Sequence, residues 1–326
     1  MAEFRSCDIV AIGEVLIDFT CESKDEAGYP LLQAHPGGAP ANFLAAAAKL
    51  GARTSFIGKV GNDAFGRLLL KTLASKGIDT SNVIVTEDAF TTLAFVTLDE
   101  KGDREFSFAR KPGADSMLRP DEISVELIKN AAVLHMGSLL MTTESGKAST
   151  LFASDVAREN CVIVSYDPNY RPPLWKSPDD AKEMMLLAAG KADMMKISEE
   201  EAEFMFGFKR EDAAEKILEA LPQLKLVMVT LGPDGAVIRS GKNEVRVSAP
   251  KVTPVDTTGA GDICGGSLAA GLLKLEGFDP RKFAKGELEL SADMLEKAGR
   301  YAVWAASMST MKHGGMDSVP SPEEFV

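Results

Sequence analysis

The stretch GGAPANFLAAAAKLGARTSFIGKVG, Gly37–Gly61, decides the fold. Its alanine-rich part, Pro40–Leu50, reads as a helix with proline in the first turn, where the missing N–H has no partner to lose. Thr54–Gly61, TSFIGKVG, reads as the strand that follows, and upstream DIVAIGEVLIDF, Asp8–Phe19, reads as another. The rhythm continues outward. Asp63–Lys76 and Glu144–Asn160 suit helices, whereas AAVLHMGS (Ala131–Ser138), CVIVSYDP (Cys161–Pro168) and LKLVMVTLG (Leu224–Gly232) suit strands. Strands separated by helices require right-handed crossovers, so the expected fold class is α/β: a mainly parallel sheet with helices on both faces. Residues 1–326 are read as a single α/β domain.

Two segments, 18–36 and 91–111, break that rhythm. TLAFVTLDEKGDREFSFAR (Thr92–Arg110) alternates around DEKGD, the pattern of a β-hairpin. Inserted β segments must pack away from the parallel sheet, and a small β lid over the strand ends, where open sheets bind ligands, is the economical arrangement. The other reading of the hairpin is surface decoration or an oligomer contact. GKNEVRVSAPKV (Gly241–Val252) reads as a further short β pair.

Composition narrows the partners. The net charge of −12 argues against nucleic acid and anionic membrane as partners but leaves room for a small phosphorylated ligand. Cys7, Cys21, Cys161 and Cys264 form no CxxC pair, and His35, His135 and His313 are too scattered for a metal cluster. MAEFRSCDIVAIGEV lacks the basic start and continuous apolar core of a signal peptide, and no apolar run is long enough to span a membrane. A cytoplasmic protein is expected.

The chemistry concentrates in three places. In VDTTGAGDICGGSLAAG, Val255–Gly271, Gly259 and Gly261 allow backbone N–H groups to converge at a helix start, an anion cradle. Asp262 beside it repels an anion unless it performs a task, and taking a proton is the obvious one. No Gly-Lys-Ser/Thr follows, so this is not a Walker turn. Gly37, Gly38 and Asn42 bring backbone and an amide toward a hydroxylated ligand, although Gly-Gly-x-Pro also simply starts helices. In SYDPNYRPPLW, Ser165–Trp175, Asp167, Asn169 and Arg171 stand at a strand end, with Asp18 expected at the same sheet edge.

Together these motifs resemble the ribokinase-like family of carbohydrate kinases over nearly the whole chain. Gly37–Gly61 is similar to the family's N-terminal signature and DTTGAGDICGGSLAAG to its C-terminal one. GGAPAN, AFVTLDEKGDREFSFAR and YDPNYRPPLW look most like the fructokinase branch. The resemblance implies a Rossmann-type, ribokinase-like sheet with a β lid, and ATP, Mg2+ and K+ as ligands. It makes Asp262 the catalytic base and Gly259, Ala260 and Gly261 the anion hole. Asp18, Gly37, Gly38, Asn42, Arg110, Asp167, Asn169 and Arg171 become sugar-side residues. Lys196, Ser198, Glu201, Thr230, Gly232, Gly235, Gly259 and Gly261 fall on the nucleotide side. Glu201 would organise magnesium through water, and Asp256, Thr258, Gly315 and Ser318 a monovalent cation.

Where many relatives carry Asn-x-x-Glu, this chain reads SEEE, Ser198–Glu201, which also reads as a helix cap. The implied reaction is phosphorylation of the fructose 6-hydroxyl, with Asp262, given an ordinary carboxylate pKa, accepting the proton late. A homodimer through the lid is expected. The alternatives are another sugar or a sugar acid such as 2-keto-3-deoxygluconate, which would use Arg110 or Arg171, and a non-catalytic binding protein. A nicotinamide enzyme is disfavoured because no Gly-x-Gly-x-x-Gly opens a helix near the N-terminus.

Overall fold

The computed structural model describes residues 7–98, 104–210 and 212–325. Strand β1 (Ile9–Ile12) is buried throughout, as a strand covered on both faces must be. The chain then leaves that sheet, and β2 (Leu16–Lys24) and β3 (Pro30–Gly37) pair antiparallel in a second one. Asp8–Phe19 is therefore two strands rather than the single strand expected. The break falls at Gly13, where a Cβ would lie 2.3 Å from Pro40 Cγ, so only glycine lets the backbone turn against the start of the next helix.

That helix, α1 (Ala39–Lys49), leads to β4 (Thr54–Gly61), parallel to β1. Helix α2 (Ala64–Ser75) is capped by Asp63, whose carboxylate accepts the Phe65 and Gly66 amides. The short strands β5 (Ile78–Asp79) and β6 (Val83–Thr86) both pair with β4. β7 (Leu93–Leu98) and β8 (Arg104–Ala109) then return to the second sheet. The DEKGD turn between them lies outside the described residues.

The alternation resumes with α3 (Val125–Lys129), β9 (Val133–Gly137), α4 (Glu144–Glu159), β10 (Ile163–Asp167) and α5 (Pro178–Ala189). It continues through β11 (Met194–Ser198), α6 (Glu199–Phe206), α7 (Ala213–Ala220) and β12 (Leu226–Thr230). β13 (Ala236–Ser240) and β14 (Asn243–Val247) extend the edge antiparallel, before α8 (Ala260–Lys274), α9 (Pro280–Lys285) and α10 (Ala292–Ser309).

The main sheet runs β14-β13-β12-β11-β10-β9-β1-β4-β5, with β6 also on β4, and the second runs β3-β2-β7-β8. Strand alternation sends successive side chains to opposite faces. Val10, Ile12, Leu134, Met136, Val164 and Ile197 pack toward α3–α7. Ile9, Ala11, Val133, Ile163, Met194 and Met228 pack toward α1, α2 and α8–α10. The consequence for function is geometric. Asp167 pairs with Gly137 and Ser198 with Thr230, so the polar residues ending β9–β12 emerge in register along one edge. No helix among the described residues is long and apolar enough to cross a membrane.

Candidate active site

Helix α8 starts at Gly259, whose φ of 76° is the left-handed conformation glycine favours, and carries no side-chain cap. Its first-turn amides and the positive end of its dipole therefore face outward without a partner side chain. The Ala260 amide is the exception, turned onto Thr257 O at 3.3 Å, so the cradle rests on the amides that follow. Close packing fixes the helix in place. A Cβ at Gly266 would lie 2.1 Å from Phe43 O, which explains the small residues of GGSLAAG: α8 presses its backbone against α1.

That contact brings Asn42 and Asp262, 220 residues apart, together: the Asn42 amide donates to Asp262 Oδ2 at 2.9 Å. Asp262 is only 8% exposed. Burial pushes its carboxyl up to about 7 and the Asp167 charge adds to this, against the Asn42 hydrogen bond, Lys196 and Arg171. The expectation of an ordinary carboxylate pKa is thus corrected, because sequence does not reveal how far packing strips water from the group. A group poised near neutrality is a better proton acceptor than an ordinary aspartate.

Where β2 meets β3, Asp18 reaches so close to Gly37 that a Cβ there would lie 2.1 Å from Asp18 Oδ2. Burial pushes Asp18 up to about 6, opposed by the Arg171 charge and reinforced by Asp256. Arg171 thus acts electrostatically on both Asp18 and Asp262. Asp167 accepts the Asn169 amide at 3.1 Å through Oδ1 and pairs with Lys196 Nζ at 3.0 Å through Oδ2. Asn169 holds φ 45°, the left-handed region that asparagine tolerates better than most residues. Burial alone would pull the Lys196 ammonium down, but Asp167, Glu201 and Asp262 together push it up. It stays charged beneath the cradle, where a Cβ at Gly261 would lie 2.7 Å from Nζ.

Arg110 is placed differently. Its guanidinium bonds Asp115 at 2.8 Å, Thr142 Oγ1 at 2.7 Å and Leu139 O at 3.3 Å, while Thr92 donates to the other Asp115 oxygen. Arg110 thus anchors the base of the second sheet. His135 is also structural. It stacks on Phe43 with ring centroids 3.6 Å apart, and burial pulls its pKa down to about 3, leaving it neutral.

Toward β11 and β12, Ser198 and Glu201 form a reciprocal cap on α6. Glu201 Oε2 accepts the Ser198 amide at 2.9 Å, and Oε1 accepts the Tyr170 amide at 2.7 Å. One carboxylate therefore ties α6 to the loop that carries Asn169 and Arg171. Thr230 donates to Ile197 O at 3.4 Å, and the Gly232–Gly235 turn closes through Leu231 N to Gly235 O at 2.8 Å. Beneath the cradle, Asp256 accepts Thr258 Oγ1 at 2.7 Å and Gly314 N at 3.0 Å, and Ser318 Oγ donates to Gly315 O at 2.9 Å. Asn42 Oδ1 is buried with no hydrogen-bond partner among the described residues, and a Cβ at Gly315 would lie 2.3 Å from it. No group of three or more His, Cys, Asp or Glu among the described residues is placed to hold a metal by itself.

The structure thus gathers the expected residues, Arg110 apart, along the edge where β9–β12 end. The sequence reading missed Glu14, and it named Arg110 without the Asp115 and Thr92 partners that hold it. The only sequence signal of Glu14 is an acidic residue inside an apolar run.

Residues 7–322 match the model of the pfkB family carbohydrate kinases. The chain is 39% identical over 322 residues to "Fructokinase-1" of Zea mays, covering 98% of this chain and 96% of that protein. Among solved structures, fructokinase with bound ATP from Xylella fastidiosa superposes with a TM-score of 0.86 at 26% identity, covering 96% of this chain and 95% of that one. A fructokinase double mutant from Vibrio cholerae O395, in fructose, ADP and potassium ion bound form, superposes at 0.81 with 31% identity, covering 98% of both chains. The doubly covered sheet is therefore the ribokinase-like fold, and the chain belongs to the pfkB family of carbohydrate kinases, phosphotransferases that act on sugars.

Proposed function

We propose that this kinase transfers the γ-phosphoryl group of ATP to the 6-hydroxyl of D-fructose, giving fructose 6-phosphate and ADP. The observation that carries the reading is the buried Asp262 carboxyl, pushed up to about 7 and held by Asn42 in the first turn of an uncapped helix. The sugar oxygen forms its bond to the γ-phosphorus as the bond to ADP breaks, and Asp262 accepts the hydroxyl proton. Most of the acceleration in such a transfer comes from position and charge rather than covalent chemistry. The first-turn amides of α8 and the charged Lys196 face the transferring phosphoryl group. Thr230 and the Gly232–Gly235 turn form the nucleotide side.

A neutral hexose fits the sugar side better than a sugar acid. Asp18 and Asp167 are acidic, and Arg110 is bound to Asp115, Thr142 and Leu139 rather than turned to a substrate carboxylate. The fructokinase names of the relatives point the same way. The second sheet serves as the lid that excludes water, which would otherwise intercept the phosphoryl group.

Magnesium fits on one condition. Both Glu201 oxygens already accept main-chain amides, so Glu201 would help hold the ion through water rather than as a direct ligand. When bound, Mg2+ neutralises phosphate charge. The oxygen-only set of Asp256, Thr258, Gly315 and Ser318 suits a hard monovalent cation such as K+, which would brace the Gly259 turn. Tyr29, 70% exposed, with the exposed Leu31 on edge strand β3, offers a face for a homodimer through the lid. Four free cysteines fit a reducing cytoplasmic setting.

ADP release measured against a panel of neutral sugars and sugar acids tests the reading. Fructose should give the highest kcat/KM. Release with no sugar dependence would leave only a nucleotide-binding or hydrolytic role.

A further inference from the structure

Glu14 has no part in the chemistry described so far, yet it occupies a position of consequence. It lies in the link between β1 and β2, where the chain crosses from one sheet to the other, and is 3% exposed. Its Oε1 accepts the amide of Ala39, 25 residues on, at 3.1 Å. Ala39 is the first residue of α1, whose N-cap is Gly38, with φ 116° and no side chain to cap with. The glycine is dictated by the same link: a Cβ at Gly38 would lie 2.6 Å from Glu14 O and 3.0 Å from Val15 Cα. Glycine is therefore forced where a capping side chain would normally sit, and the Glu14 carboxyl performs the capping from a distance.

Burial pushes Glu14 up to about 8, with Asp115 adding to the rise and Arg110 opposing it, so near neutral pH it is mainly an uncharged acceptor. One turn beyond Ala39, α1 presents Asn42, whose amide holds Asp262. Just before Ala39 lie Gly38, against the Glu14–Val15 backbone, and Gly37, against Asp18.

We propose that Glu14 is a positioning residue for phosphoryl transfer: by fastening the start of α1 to the β1–β2 link, it sets the Asn42 amide on Asp262 and the Gly37 backbone beside Asp18. The proposal rests on the reading of Asp262 as the base, and it acts on sugar and base together while leaving the nucleotide side untouched.

Three variants test it, each assayed well below its Tm with active protein normalised by ATP binding. Glu14→Ala removes the acceptor. Glu14→Gln keeps an uncharged acceptor of the same length. Ala39→Pro removes the donor at a first helical position, where proline is tolerated. Glu14→Ala and Ala39→Pro should each lower kcat about tenfold and raise the fructose KM about threefold, with the ATP KM unchanged. Glu14→Gln should restore both constants to within about threefold of wild type. If Glu14→Ala fails to fold, Ala39→Pro carries the same comparison.

Wild-type kcat and fructose KM in Ala39→Pro overturn the proposal, as does a kcat loss that leaves the fructose KM unchanged or that Glu14→Gln does not recover. Asp262→Asn, measured in parallel, separates the two claims. Retained turnover in that variant sinks the base assignment, whatever the Glu14 series gives.

Discussion

Replacing Asp262 with asparagine should move activity and stability in opposite directions. In the folded chain the Asp262 carboxyl is pushed from 3.8 to about 7, chiefly by burial, so the folded state holds its proton more tightly than the unfolded state does. The stability this confers is fully present below the ordinary carboxylate value and is lost as pH rises through about 7. Above that point the ionised carboxylate carries a penalty on the order of 4 kcal/mol, from the rise of 3.8 to about 7 at ~1.4 kcal/mol per pH unit. Asparagine has the same shape and no charge, and its side-chain oxygen can still accept the Asn42 amide. Asp262→Asn should therefore stabilise the protein by roughly 1–4 kcal/mol at pH 8, with the gain shrinking as pH falls toward 4. Turnover should fall by roughly 10² to 10⁴, the usual contribution of general base catalysis. Denaturant titration at both pH values, alongside initial-rate assays, reads the two effects. A variant that loses turnover and stability together at pH 8 would show Asp262 to be a structural group. One retaining more than a tenth of wild-type turnover, with chemistry rate-limiting, would show that it is not the base.

Three further outcomes follow from the same geometry. Because the base must be ionised, wild-type kcat/KM should fall tenfold per pH unit below an apparent pKa near 7, and a limb near 4 in the pH–rate profile would mean that Asp262 is solvated. Deleting Asp99–Asp103, the residues between β7 and β8, should raise the fructose KM and increase ATP hydrolysis in the absence of sugar; unchanged partitioning between hydrolysis and transfer would demote the second sheet to decoration. Exchanging K+ for a large organic cation should lower kcat reversibly, and Asp256→Ala should abolish the response, whereas equal activity in both salts would leave the Asp256–Ser318 cluster a purely structural turn.

Much of this was legible in sequence because it rests on short-range rules. The alternation of apolar runs with helical patterns gave the doubly covered sheet. The principle that open parallel sheets bind ligands where strands end placed Asp167, Asn169 and Arg171 at that edge, while Ser198, Glu201 and Thr230 came from the family resemblance alone. What was not legible depends on three-dimensional packing. Asp8–Phe19 is apolar on both sides of its break, so composition merges two strands that the Gly13–Pro40 contact separates. The Asp262 pKa depends on how closely α1 and α8 approach, which the small residues of GGSLAAG suggest without fixing. Arg110 looked available as a substrate ligand because Asp115, only five residues on, is brought to it by a turn that local pattern does not reveal. Glu14 reads as one acid in an apolar run, and only its bond to Ala39 shows what it holds.

The central claim, a fructokinase working through Asp262, is tested most directly by competition. Wild-type protein is given ATP and magnesium with fructose and 2-keto-3-deoxygluconate at equal concentration, and the phosphorylated products are resolved by mass spectrometry. The account predicts fructose 6-phosphate in about tenfold excess or more, the discrimination expected from even one buried hydrogen bond worth about 1.4 kcal/mol. Preferential phosphorylation of the sugar acid would contradict it.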